Sequence, residues 1–215
     1  GSKGIGLAIV HAFLSYHMTV YILDVAPPED DVCRQAMTDK RLAYLNVDVA
    51  NTNDLNSALE RVFGEHQRLD CAVNNAAIYE AEENRNILWD DGTTEWQVDR
   101  ILQTNLGGVV HGTRVASRLM KRSPPDSGPK TIVNLSSMGA FRPTPRRAVY
   151  GATKAAILHF SRSADEDLRD DGIRVYCVCP GIVDTDMGHM GGERNRQAVA
   201  QMKGQERMRP ELVAE

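Results

Sequence analysis

Tyr150 and Lys154 stand four positions apart in the run Val149-Tyr150-Gly151-Ala152-Thr153-Lys154. The surrounding periodicity predicts a helix over 149–169, so both side chains fall on one face. A phenol ionises near pH ~10, too high for easy proton exchange at neutrality. An ammonium one helical turn away favours the phenolate and is expected to lower that value. Ser137, thirteen residues upstream at the end of an apolar run, adds a hydroxyl able to hold a substrate oxygen. Together these groups suit proton transfer to or from an alcohol. Each has a blander reading, since serines cap turns and a Tyr/Lys pair at this spacing arises by chance.

A second group of residues could grip a dinucleotide. The chain opens on Gly1-Ser2-Lys3-Gly4-Ile5-Gly6, a glycine-rich turn running into a helix predicted over 5–16. A helix N-terminus offers its unbonded N–H groups to a pyrophosphate. Asp24 follows Gly6 by eighteen positions and ends the apolar run Val20-Tyr21-Ile22-Leu23. That is close to the ~20 residues expected before a carboxylate that meets the adenosine ribose. An acid there repels a 2′-phosphate, so NAD is expected over NADP. Asn105 lies in Gln103-Thr104-Asn105-Leu106-Gly107-Gly108, inside a helix predicted over 94–121. Asn and Gly are poor helix formers, and such a conflict marks a kink, a functional position or a close packing contact.

The elements that must position these groups alternate. Short apolar runs at 20–23, 42–47, 71–73, 131–135 and 173–178 read as strands, and helices are predicted at 29–38 and 53–66 besides those above. Continuous apolar strands separated by amphipathic helices predict a doubly wound parallel α/β sheet, layered αβα, in one domain over 1–215. Asp24, Asp48, Asn75, Ser137 and Pro180-Gly181 all follow strand ends, where open parallel sheets bind ligands. Residues 79–92 and 123–129 read as surface loops, and 184–209 as a mobile polar segment. The substrate pocket is expected from 78–95, 138–148 and 184–209. Arg142, Arg146 and Arg147 could meet an acidic substrate there, although such charge runs are more often solvated.

Composition narrows the classes. A net charge of −4 over 215 residues, without a basic stripe, argues against a nucleic-acid partner. No apolar run is long enough for a membrane helix. The four cysteines make no CxxC pair and no zinc spacing, so no metal site is expected and all four read as small buried hydrophobes of a reducing compartment. Cys177 and Cys179, two apart in a strand, should share a side.

Taken together, the motifs resemble those of the short-chain dehydrogenase/reductase family in its classical branch. Gly4-Ile5-Gly6 resembles the end of its TGxxxGxG turn, and Asn74-Asn75-Ala76-Ala77 its NNAG motif, with Ala77 in place of glycine. Asn105, Ser137, Tyr150 and Lys154 match the family tetrad in order and spacing, and Pro180-Gly181 with Thr185 resembles its PGxxxT segment. The resemblance implies a Rossmann-type fold. It also implies cofactor contacts from Ser2, Gly4, Ile5, Gly6, Asp24, Asp48, Val49, Asn75, Ala76, Tyr150, Lys154, Pro180, Gly181, Val183 and Thr185. Tyr150 becomes the acid/base, Ser137 the orienting hydroxyl, Lys154 the ribose holder and Asn105 the holder of a proton-relaying water. A small alcohol or carbonyl substrate, a cytoplasmic location and a homodimer or homotetramer through the two long helices are implied as well. Hydroxyprostaglandin-dehydrogenase-like members, which use NAD, look most similar. An NADPH-dependent carbonyl reductase and a non-enzymatic NAD-binding scaffold are the alternatives. The family's first strand, first motif glycine and last strand are missing, so the chain is expected to be a fragment, marginally stable and weak in cofactor binding.

Overall fold

The computed structural model describes residues 1–80, 95–185 and 208–214. The chain divides into two compact units, one built from Gly1–Asn46 with 180–185 and 208–214, the other from Val47–Glu80 and 95–179. Each is an arrangement of parallel strands and helices in its own right.

In the first unit, α1 (Gly4–Ser15), β1 (Val20–Asp24), α2 (Asp31–Thr38) and β2 (Leu42–Asn46) follow in order. β1 and β2 pair in parallel, from Val20 opposite Leu42 to Asp24 opposite Asn46. A parallel pair needs a crossover, and α2 supplies it. Asp30 starts α2 by accepting the Cys33 N–H at 3.0 Å, satisfying one orphan donor of the first turn. Val10 and Leu14 of α1, Val20 and Ile22 of β1, Cys33 and Ala36 of α2 and Leu42 of β2 form the core. Farther along, Val183 bridges Met208 in parallel, just ahead of the last short helix, Glu211–Ala214.

The second unit runs α3 (Thr52–His66), β3 (Cys71–Asn74), α4 (Glu95–Ile101), α5 (Gly108–Arg122), β4 (Lys130–Leu135), α6 (Ala148–Leu168) and β5 (Ile173–Val178). Its sheet is parallel in the order β3-β4-β5, with Cys71 opposite Thr131 and Lys130 opposite Ile173. Ala116 and Met120 of α5, Ile132 of β4, Ala164 of α6 and Ile173 and Val175 of β5 close over one core. Phe63, Val115 and Leu119 join α3 to α5. Each fully buried Leu or Ile here contributes about 1.5–3 kcal/mol.

The expected helices and strands within the described residues form, most bounds agreeing within two residues. The strands divide between two sheets. The helix expected over 94–121 is interrupted, because Leu102–Gly107 forms a π-helix between α4 and α5. Two loop expectations are corrected. Ser123 is buried, because its hydroxyl accepts the Leu69 N–H at 3.0 Å and donates to the Leu119 carbonyl. Glu80 is buried as well, with partners given below. The rest of the acidic segment after it, and nearly all of 184–209, lie outside the described residues. Among the described residues no helix is long and apolar enough to cross a membrane.

Candidate active site

The second unit holds the four residues of the tetrad. β4 ends at Leu135 and delivers Ser136 and Ser137 past the strand end. Ser137 Oγ accepts the Gly139 N–H at 3.1 Å, capping a short 3₁₀ turn, and also hydrogen-bonds the Tyr150 phenol. The capping reading of this serine is thus met, and the same hydroxyl faces the phenol.

Tyr150 lies in the first turn of α6, with the Lys154 ammonium 5.6 Å from its ring centroid. Lys154 is 2% exposed, and its Nζ donates to the Leu135 carbonyl at 2.7 Å. Burial pushes its pKa down to about 8, although Cys177 and Cys179 nearby pull the other way. The depression expected for Tyr150 is corrected. Burial raises its pKa above the ordinary phenol value, outweighing the downward pull of the Ser137 hydrogen bond and the Arg147 charge. The Lys154 charge is set against the ring and the Leu135 carbonyl.

Asn105 is fully buried within the π-helix. Its Oδ1 accepts the Ile78 N–H at 2.8 Å, and its Nδ2 donates to the Ile78 carbonyl at 2.8 Å and to Thr153 Oγ1 at 3.2 Å. Thr153 Oγ1 in turn donates to the Tyr150 carbonyl at 2.7 Å. The widened turn lets a residue unsuited to an α-helix interior aim inward. Both amide hydrogens of Asn105 are thus committed to Ile78 and Thr153.

A second buried network lies between β3, β4, α5 and α6. Asn74 Nδ2 donates to Asn134 Oδ1 at 2.8 Å and to Thr113 Oγ1 at 3.2 Å, and Asn134 Nδ2 donates to Ser161 Oγ at 3.0 Å. The Asn74 amide lies so close to α5 that a Cβ on Gly112 would collide with its Oδ1. Gly108 makes room for Val49, whose Cγ2 would be 3.0 Å from an added Cβ. Asn74 therefore ties the sheet together, while Asn75 and Ala76 follow β3 half-buried. Asp48 accepts from Arg100 at 2.8 Å and from the Ala50 N–H at 3.0 Å, which outweighs burial and lowers its pKa.

The first unit carries the glycine turn. Gly4 opens α1 at a φ of 55°, and the N-cap Lys3 makes no side-chain cap, leaving the first-turn N–H groups without one. A Cβ on Gly4 would meet Thr185 Cγ2 at 3.1 Å, so the turn and the Thr185 segment are in contact. Asp24 accepts the Ser2 N–H at 2.9 Å. Burial pulls its pKa up, and the Ser2 hydrogen bond pulls it down. Gly6, Pro180 and Val183 are buried, and Ile5 is half-buried.

Sequence reading missed several groups. Asn134 stood as a polar residue inside an apolar strand run, which was the available signal. Thr153, Arg100 and Glu80 carried none. Arg147 stacks on the Tyr79 ring at 4.2 Å to the centroid, while Arg142 and Arg146 are exposed. All four cysteines are free, with Cys33 fully buried and the others half-buried. Cys177 and Cys179 Sγ lie 4.0 Å apart, on one side as expected. His11, Asp30 and Cys33 bring one possible ligand atom each within 4.8 Å, where Asp30 serves as the α2 cap and accepts His11 Nε2 at 3.0 Å when that nitrogen carries the proton.

Comparison with known proteins agrees with this arrangement. The family model for short chain dehydrogenases matches residues 1–196. A 3-oxoacyl-(acyl-carrier-protein) reductase of Chlamydia muridarum is 30% identical over 190 residues, 87% of this chain and 73% of its own. Cyclopentanol dehydrogenase of Comamonas testosteroni is 31% identical over 192 residues, covering 87% and 72%. The mouse 15-hydroxyprostaglandin dehydrogenase (NAD(+)) is 30% identical over 190 residues, 86% and 65%. These near-equal identities do not single out one substrate. Among solved structures, the Thermoplasma acidophilum aldohexose dehydrogenase superposes with a TM-score of 0.81 at 24% identity, over 99% of this chain and 80% of that one. This likeness establishes the Rossmann-type α/β fold.

Proposed function

The chain belongs to the short-chain dehydrogenase family, and from that premise we propose that it interconverts a secondary alcohol and a carbonyl using NAD, with Tyr150 as the acid/base. The observation that carries this reading is the placement of the Tyr150 phenol, hydrogen-bonded to Ser137 with the buried Lys154 ammonium against its ring.

The chain's own groups fit a nicotinamide dinucleotide. The uncapped N–H groups that open α1 suit a pyrophosphate, and Gly4 leaves space that a Cβ would fill. Ser2, Gly4, Ile5 and Gly6 would hold that group, Asp24 the adenosine ribose, and Asp48 and Val49 the adenine. Asn75, Ala76, Pro180, Gly181, Val183 and Thr185 would hold the nicotinamide half, with Tyr150 and Lys154 at its ribose. When bound, the nicotinamide supplies the hydride acceptor or donor. Asp24, a carboxylate at neutrality, repels a 2′-phosphate and favours NAD over NADP.

Tyr150 Oη takes the alcohol proton in oxidation and returns it in reduction. Ser137 Oγ donates to the substrate oxygen as it acquires carbonyl character. Lys154 keeps a positive charge near the phenol through neutrality. The raised Tyr150 pKa keeps the resting phenol protonated, which favours the reductive direction as a second reading. On this reading we further propose a single nicotinamide-binding domain in a cytoplasmic homodimer or homotetramer.

A panel of secondary alcohols and ketones with each nicotinamide cofactor tests the assignment. Tyr150→Phe should cut kcat by about 10²–10⁴-fold while calorimetric NAD affinity stays near wild type. Full turnover by that variant refutes the role of Tyr150, and tighter binding of NADP than NAD refutes the role of Asp24.

A further inference from the structure

Glu80 is 2% exposed, yet it carries a carboxylate. Its Oε1 accepts the backbone N–H groups of Val149 at 2.9 Å and Tyr150 at 3.2 Å. These belong to the first turn of α6, which begins at Ala148 and whose N-cap, Arg147, makes no side-chain cap. A residue 69 positions away therefore does the work that a neighbouring Ser or Asp does in most helices. The other oxygen, Oε2, is buried without a hydrogen-bond partner among the described residues. Such burial is costly, and the positive end of the α6 dipole offsets part of that cost.

The segment that carries Glu80 is fixed on both sides. Asn105 clamps the N–H and the carbonyl of Ile78, and Glu80 grips α6 two residues on. Between them, Tyr79 sets its ring edge-on to Tyr150 at 6.3 Å and 87°. Among the described residues, the polar and charged groups around the phenol are Ser137 after β4, Arg147 and Lys154 from α6, and Tyr79 and Glu80 after β3.

We propose that Glu80 is a positioning residue for Tyr150, holding the first turn of the helix that carries the phenol and setting a negative charge beside it. This rests on the reading of Tyr150 as the acid/base. Burial keeps the tyrosine ionisation high, and the Glu80 charge adds to it by opposing Arg147. Loss of the carboxylate therefore lowers that ionisation, and loss of the acceptor loosens the turn.

Glu80→Gln keeps an oxygen for both N–H groups and removes the charge, whereas Glu80→Ala removes both. Tyrosinate absorbance of the protein, wild type minus Tyr150→Phe, reads the ionisation of Tyr150 without turnover. In the Glu80→Gln background this titration should move to lower pH, and the pH limb of kcat should follow it. Glu80→Ala should lower kcat by about 10- to 100-fold with little change in KM, and Gln should restore most of that loss. A titration in Glu80→Gln that coincides with wild type, or wild-type kcat in Glu80→Ala, overturns the proposal. Should Glu80→Ala not fold, the Glu80→Gln titration decides alone. Equal turnover by wild type and Tyr150→Phe would instead sink the acid/base reading, while the absorbance titration would still report the effect of Glu80.

Discussion

Around Tyr150, side chains from distant elements hold one another: Asn105 from the π-helix, Thr153 from α6, Ser137 after β4 and Glu80 after β3. Around Gly4 the material is mostly backbone: an uncapped helix start, a positive φ and the Ser2 N–H on Asp24. On the proposed function the two regions answer different demands. Proton transfer needs one donor held within a fraction of an ångström, which locked rotamers and satisfied buried hydrogen bonds provide. A diphosphate needs several N–H groups directed at a broad charge, which a helix terminus supplies once no side chain intrudes.

If this contrast is correct, substitutions should separate the regions. The largest effect is expected at Asn105. Asn105→Ala strands the N–H and carbonyl of Ile78, at about 1–3 kcal/mol for each buried group. Urea denaturation should show a loss of about 3 kcal/mol, and kcat should fall with it. A loss below about 1 kcal/mol would mean that the Ile78 segment finds other partners and the site is less rigid than its bonds suggest.

Gly4→Ala comes next. The left-handed backbone costs a side-chain residue about 1–2 kcal/mol, and the added methyl presses on Thr185. NAD affinity should weaken about tenfold by calorimetry, one decade per 1.4 kcal/mol. The Tyr150 absorbance titration should stay unchanged, and a shift in it would erase the separation.

The smallest effect is a slope. With its pKa at about 8, below the ordinary 10.5, folded Lys154 loses its proton before the unfolded chain does. The unfolded state then binds more protons, so this group makes stability rise with pH from about 8 upward. From near pH 9 three thiols whose ionisation burial raises act in the opposite sense, Cys33 at about 12 and the half-buried Cys71 and Cys177 at about 11. Wild type minus Lys154→Met isolates the lysine. Melting between pH 8 and 9 should rise more steeply in wild type, and equal slopes would show that the ammonium is better solvated than its burial implies.

Much of this arrangement was legible before any coordinates. Apolar runs and helical spacing located the strands and most helices, because burial of one face imposes those periods. The tetrad was legible too, with Ser137, Tyr150 and Lys154 gathered as their spacing promised. What escaped reading depended on groups far apart in sequence. The acid at Glu80 looked like part of a solvated run, and only the fold brings it to an α6 start whose own N-cap makes no side-chain cap. The ionisation of Tyr150 was expected to fall, because spacing reveals the lysine but not how deeply the phenol is covered. Asn105 announced itself as a poor helix former, yet the π-helix and the clamp on Ile78 needed coordinates.

The Asn74–Asn134 bond has a consequence for alignment. Strands that are apolar along their whole length can slide by a residue without exposing anything that water penalises. Here Asn74 lies directly opposite Asn134 in the β3–β4 ladder, and the two amides bond to each other. A slip would set an amide against Val133 or Leu135 and leave it dry and unpaired. The pair acts as a vernier mark for the sheet, fixing how far Asn75 and Ser137 stand beyond their strand ends.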